Sequence, residues 1–203
     1  MPIKHQIPMA LILSRLVTGI VLAVLSFLAP PYFNWIAIIL ISYGLLSDIF
    51  DGIIARQVNV SNEKLRRLDS SADQFFFICT AVAAYIYVPS FFENNWLKIS
   101  LLLGVEALCY LVSFIKFRKE VATHSIGAKI WTLFLFATLV QVIAQGQSIL
   151  LFEICFWTGI LSRAEIIAIL LTLKKWTNDV PSIVHAFQLR KEKPIKRNKL
   201  FNG

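Results

Sequence analysis

The sequence predicts an all-α integral membrane protein of six transmembrane helices, with both termini on the cytoplasmic side. Three observations carry this. Apolar stretches of about 20 residues, long enough to cross a bilayer, recur along the chain. Hydrophobic residues make up 57% of the 203 and the mean hydropathy is +0.69, more apolar sequence than a soluble domain of this length carries. Basic residues alternate between successive connections, as they do in chains that thread back and forth through a membrane.

The spans follow in order. The first covers residues 9–28 and ends at the helix-breaking pair Pro30-Pro31. The second covers 35–54, the third 69–92 with PSFFENN as its break, the fourth 96–117, the fifth 127–145 and the sixth 149–173. Together they make one membrane domain over residues 1–175, and residues 176–203 read as a basic cytoplasmic tail with a short amphipathic beginning. No cleavable leader is expected, because the first apolar run holds Arg15 and no small-residue cleavage site follows it.

Charge sets the orientation. The connections after spans two and four carry Arg56, Lys64, Arg66, Arg67, Lys116, Arg118 and Lys119, and the tail adds many more, whereas PPYFN and QGQS carry none. This bias puts the termini and the polar loop after span two on the cytoplasmic side. It also accounts for the net charge of +8 without a nucleic-acid partner. The tail would be drawn to anionic lipid headgroups. Cys79, Cys109 and Cys155 stand singly in apolar runs and read as packing residues. His5, His124 and His185 share no metal or triad spacing.

The chemistry concentrates between Ser47 and Asp73, SDIFDGIIARQVNVSNEKLRRLDSSAD. Asp48 and Asp51 are three apart at the end of one apolar run, and Asp69 and Asp73 are four apart at the start of the next. On helices both spacings put the two carboxylates on one face. Two helices joined by a short polar turn should lie side by side, so the four carboxylates can converge. Gathered carboxylates repel unless cations sit among them, and an all-oxygen donor set suits Mg²⁺ or Mn²⁺ rather than zinc. The bland alternative is helix-end solvation, with Asp69 capping the third span. A membrane transporter or divalent-cation channel would also use acidic side chains, but would string them through the membrane depth rather than group them on one side.

The same residues carry a resemblance. Asp48-x-x-Asp51-Gly52-x-x-Ala55-Arg56, then eight residues, position 65, Asp69 and Asp73, resembles the CDP-alcohol phosphotransferase signature D-x-x-D-G-x-x-A-R-x8-G-x3-D-x3-D. Seven fixed positions match, and Leu65 replaces the second glycine. IPMALILSR near the start is similar to the family's IPNxLTxxR opening, keeping Arg15, and SIGAKIWT is similar to its S-x-x-G-K-x-K-T, keeping Ser125, Lys129 and Thr132. The resemblance covers roughly residues 7–173.

It implies an integral-membrane enzyme of phospholipid synthesis, a homodimer in the cell inner membrane with its active site facing the cytoplasm. Such an enzyme passes a phosphatidyl group from a CDP-linked lipid, expected to be CDP-diacylglycerol, to an alcohol, releasing CMP. Glycerol 3-phosphate is the first-choice acceptor, ahead of inositol phosphate, inositol, serine or a second lipid. By the same resemblance Asp48, Asp51, Asp69 and Asp73 would hold a two-metal Mg²⁺ or Mn²⁺ site, and Asp73 would be the general base. Gly52, Ala55 and Arg56 would surround the nucleotide; small residues let a ligand approach the backbone, and arginine chelates phosphate. Lys129, Arg163 and Arg118 are candidates for the acceptor's phosphate, with internal salt bridging by Glu106, Glu153 or Glu165 as their plain alternative. Intact aspartates argue against a family member that binds but does not turn over.

Overall fold

A computed structural model describes residues 6–58, 63–121 and 125–193. His5, His124, most of the turn after Gln57 and the basic arm beyond Lys193 lie outside the described residues, as do the side chains of Arg56, Lys64 and Arg66. The described residues form eight helices and no strand: α1 (Ile7–Leu28), α2 (Phe33–Gln57), α3 (Glu63–Tyr87), α4 (Pro89–Asn94), α5 (Trp96–Phe117), α6 (Ile126–Gln145), α7 (Leu150–Thr172) and α8 (Ile183–Arg190). Five of them, α1, α2, α5, α6 and α7, are long and apolar enough to cross a membrane, so the protein is an integral membrane protein. The helix α3 has the length, but the charged stretch from Glu63 to Asp73 lowers its hydropathy.

The helix starts and stops have local causes. Pro8 sits in the first turn of α1, where a missing N–H costs nothing. The helix ends at Ala29, in a left-handed conformation, whose N–H closes on the Leu25 carbonyl just before Pro30-Pro31. The break expected at PSFFENN falls between Tyr87 and Pro89, after which PSFFEN forms the short α4. One expectation is overturned. The helix α3 begins at Glu63, not at Asp69, because EKLRRL is made of good helix formers and continues the helix toward the turn. Asp69 is therefore inside a helix and is not its cap.

The chain divides into two compact units, residues 1–93 with 139–148, and residues 94–138 with 149–203, so that α6 contributes to both. In the first unit α1 packs against α2 and α3 along most of its length, whereas α2 and α3 touch only locally. Phe76 of α3 is the centre of that packing, 2% exposed. It fits against Gly19 of α1 and Gly44 of α2, where missing side chains let the helices close. Phe75, its neighbour, faces outward. The pattern is inside out relative to a soluble protein. Buried positions include Thr18, Ser26, Ser47 and Thr80, while Leu13, Val17, Ile20 and Val24 of α1 are exposed, as lipid contact requires. The buried hydroxyls bond to carbonyls of their own helix: Thr18 Oγ1 to Ser14 O, Ser47 Oγ to Gly44 O, and Thr80 Oγ1 to Phe76 O.

In the second unit α5 packs on α7, and α7 on α8. Ile169, Leu173, Val180 and Ala186 form a core that includes residues after α7. The Ile126 N–H bonds to the Pro181 carbonyl at 3.1 Å, and the Trp176 indole N–H bonds to the Glu120 carbonyl at 3.0 Å. The segment from Leu173 to Leu189 is thus packed onto its own unit. All three cysteines are buried and unbridged, in line with a packing role.

A Cβ at residue 44 would run into the Phe76 ring. Gly44→Ala should lower the thermal midpoint of the purified protein, equivalent to about 1–3 kcal/mol of overpacking. Combined with Phe76→Ala the loss should be smaller than the sum of the two single losses, as read from unfolding curves in detergent.

Candidate active site

The hairpin of α2 and α3 was expected to bring four carboxylates together, and it does so around a side chain from a third helix. Asp48 and Asp51 project from α2, and Asp69 and Asp73 from α3. Arg15, from the third turn of α1, enters between them and is 1% exposed. Its Nη1 lies 3.2 Å from Asp48 Oδ1 and 3.1 Å from Asp69 Oδ1, and also pairs with Asp73. Its Nη2 pairs with Asp51. Its Nε donates to Ser47 Oγ at 3.3 Å. A hydrogen bond of 2.8 Å between Ser14 Oγ and the Tyr43 hydroxyl ties α1 to α2 just beside it.

Burial is uneven across the cluster. The Asp51 side chain is 3% exposed, whereas those of Asp48, Asp69 and Asp73 are 38%, 29% and 31% exposed, so the cluster has a closed floor and an open side. One carboxylate oxygen from each of Asp48, Asp51 and Asp69 lies within 4.8 Å of the others. At such spacing each like-charged pair repels by about 4 kcal/mol at an effective dielectric near 20. One guanidinium against four carboxylates leaves these five side chains with a net three negative charges. Asp73 adds a further carboxylate oxygen to the cluster, Oδ1, which pairs with Arg15 Nη1. Converging oxygens, excess negative charge and an open side suit a hard divalent ion, and no His or Cys is among the donors.

The other expected site residues have these positions. Gly52 and Ala55 follow the aspartates on α2, Ala55 being buried. The backbone of Arg56 is in the last turns of the same helix. Leu65 is in the first turn of α3 and is half-buried. Arg118, Lys129 and Arg163 belong to the second unit. Arg118 ends α5 in a left-handed conformation and lies 5.6 Å from the Phe114 ring. Lys129 is exposed on α6. Arg163 is 6% exposed. It bonds Glu106 Oε2 at 2.5 Å and Ser162 Oγ at 2.9 Å, and stacks 3.5 Å over the Trp131 ring.

The expected internal salt bridging is therefore present, with particular partners. Glu106 serves Arg163, Glu153 pairs with Lys98, and the Glu165 carboxylate abuts Gly127 in the first turn of α6, where a helix N-terminus favours an anion. Lys116 donates to the Leu170 and Leu171 carbonyls at 2.9 and 2.7 Å, closing the end of α7, and Lys119 lies 4.5 Å over the Trp176 ring. Those two lysines act in the fold.

Sequence reasoning gave Arg15 no role at the site. The signal was there: a lone arginine in a 22-residue helix otherwise free of charge is costly in a membrane and calls for an acidic partner.

An integral membrane protein with an acidic, cation-seeking cluster in a helical hairpin is the class defined so far. A model of the CDP-alcohol phosphatidyltransferase family matches residues 5–184, nearly the whole chain. The chain belongs to that family, and is an enzyme that transfers a phosphatidyl group from a CDP-alcohol. No curated protein and no solved structure matches it.

The Glu106–Arg163 pair makes a prediction for the second unit. Glu106→Gln should cost about 1–2 kcal/mol, the exposure of Glu106 damping a loss that is larger for fully buried pairs. Adding Arg163→Met should cost less than the two changes separately, as measured by thermal unfolding.

Proposed function

We propose that the protein transfers a phosphatidyl group from CDP-diacylglycerol to a small alcohol, with release of CMP, at the cytoplasmic face of the cell inner membrane. The observation that carries this reading is the convergence of Asp48, Asp51, Asp69 and Asp73, the family's signature carboxylates, at one point between α1, α2 and α3. Glycerol 3-phosphate is the first-choice acceptor. The homodimeric state follows from the family resemblance. In this reading α3 is a sixth span and both termini are cytoplasmic.

Asp48, Asp51, Asp69 and Asp73 would hold two Mg²⁺ or Mn²⁺ ions, which would supply positive charge to neutralise a diphosphate and a leaving phosphate oxygen. The rest falls to the chain. Asp73 is the general base in this reading: its side chain, 31% exposed, lies on the open side of the cluster, where a carboxylate can accept the acceptor hydroxyl's proton. The hydroxyl oxygen then bonds to the β-phosphorus while the bond from that phosphorus to the CMP oxygen breaks. Gly52 and Ala55 let the nucleotide approach the α2 backbone, and Arg56 pairs with a phosphate oxygen. Leu65 fills space that glycine leaves open in the family pattern and so bears on nucleobase fit. Arg118 and Lys129, both exposed, are the candidates for the acceptor's phosphate on the family resemblance alone. Arg163 would have to release Glu106 to join them.

Purified protein supplied with CDP-diacylglycerol, Mg²⁺ and a panel of alcohols should release CMP, and lipid analysis should identify the product. Asp73→Asn should lower the rate by about 10²–10⁴-fold, the usual contribution of a general base. No CMP with any acceptor, or full activity in Asp73→Asn, would count against the reading. EDTA should abolish turnover and Mg²⁺ or Mn²⁺ should restore it, as followed in the same CMP assay.

A further inference from the structure

Arg15 is the one member of the cluster contributed by α1, and it meets the same carboxylates a metal would need. It contacts Asp48 Oδ1, Asp51 Oδ2 and Asp69 Oδ1, and it pairs with Asp73 as well. A cation bound by these carboxylates must share those oxygens with the guanidinium or displace it. We propose that Arg15 is a resident counter-cation that offsets the repulsion among the four carboxylates and, by competing for their oxygens, weakens and so sets the affinity for divalent metal. This rests on the metal-site reading above. Arg15 is accordingly a positioning residue rather than a catalytic one.

Two effects of the guanidinium oppose each other, and the packing decides between them. Assembly of the carboxylates would favour metal binding, while the positive charge disfavours it. The three helices are also held together by contacts that do not involve Arg15: Phe76 against Gly19 and Gly44, and the Ser14–Tyr43 hydrogen bond. The carboxylates therefore stay near one another without Arg15. What its removal changes is charge, from three net negative charges to four, and access to carboxylates that each already offer an oxygen within 4.8 Å of the others, as Asp48, Asp51 and Asp69 do. Removal should tighten metal binding and make the fold depend on it. An arginine that only anchored the helices would give the opposite result for affinity.

The test uses the full chain in detergent, stripped with EDTA, as the parent and as Arg15→Met, Arg15→Lys and Asp51→Asn. Free Mn²⁺ is followed by its paramagnetic resonance signal, and the thermal midpoint is read with and without Mn²⁺. Arg15→Met should bind Mn²⁺ at least about tenfold more tightly than the parent, since a charge has left the first few ångströms around the ion. Its midpoint should be lower than the parent's in EDTA and should rise further on adding Mn²⁺. Arg15→Lys keeps the charge as a point rather than a fork and should fall between the two. Equal or weaker Mn²⁺ binding by Arg15→Met, with parent binding lost in Asp51→Asn, would overturn the proposal and leave the metal site standing. Should Arg15→Met fold only when Mn²⁺ is present during purification, the proposal is supported. Should it not fold at all, Arg15→Lys decides, and an affinity equal to the parent's overturns the proposal. A parent that binds no Mn²⁺ would overturn the metal-site reading itself.

Discussion

The contact on which the first unit depends is one guanidinium against four carboxylates. Four acidic side chains cannot sit this close inside apolar surroundings without positive charge among them. Arg15 provides part of that charge from a helix that otherwise carries none. Its Nη1 and Nη2 reach both pairs of aspartates, so a single side chain ties the two arms of the α2–α3 hairpin to α1. A lysine could not serve as well, because one ammonium lacks the fork that spans several carboxylates. The excess of negative charge left over makes the cluster a place for divalent ions rather than a closed salt bridge.

Around that contact the packing is steric and largely neutral. Glycines at 19 and 44 make notches for Phe76, and serine and threonine hydroxyls turn back onto their own helices. Large aliphatic side chains point outward, toward lipid. Between helices in a membrane there is little hydrophobic gain, so close approach and a few polar contacts hold them. The second unit uses the same devices with different residues. Arg163 is clamped between Glu106 and Trp131, Gly159 makes room beside the Trp131 ring, and Lys116 closes the end of α7.

The parts of this arrangement that were legible in the sequence are those with a short spacing. Asp48 and Asp51 at three apart, and Asp69 and Asp73 at four, announce a shared helix face directly. Apolar runs likewise gave five spans to within a few residues. Arg15 had no such spacing, since its partners Asp48 and Asp69 lie 33 and 54 residues away. Only the cost of a charge in an apolar run hinted at it. The start of α3 was misplaced because EKLRRL is polar, and a reading tuned to membrane spans stops where apolarity stops, although helix propensity continues. The packing of residues 173–189 was hidden for a related reason. Val180 and Ala186 are too few and too scattered to mark a core until Ile169 and Leu173 are seen beside them.

The order of synthesis gives Arg15 a further significance. It precedes its acidic partners along the chain, in a helix that must enter the bilayer, and a lone arginine at mid-helix costs about 2.5–3.5 kcal/mol to insert. Its nearest acidic partner on α2, Asp48, is 33 residues behind it, and Asp69 on α3 is 54 behind. Until those segments arrive, α1 carries a charge that lipid cannot accommodate well. The charge is matched only when both arms of the α2–α3 hairpin stand beside α1, so α1 is at ease in lipid only as part of the three-helix group.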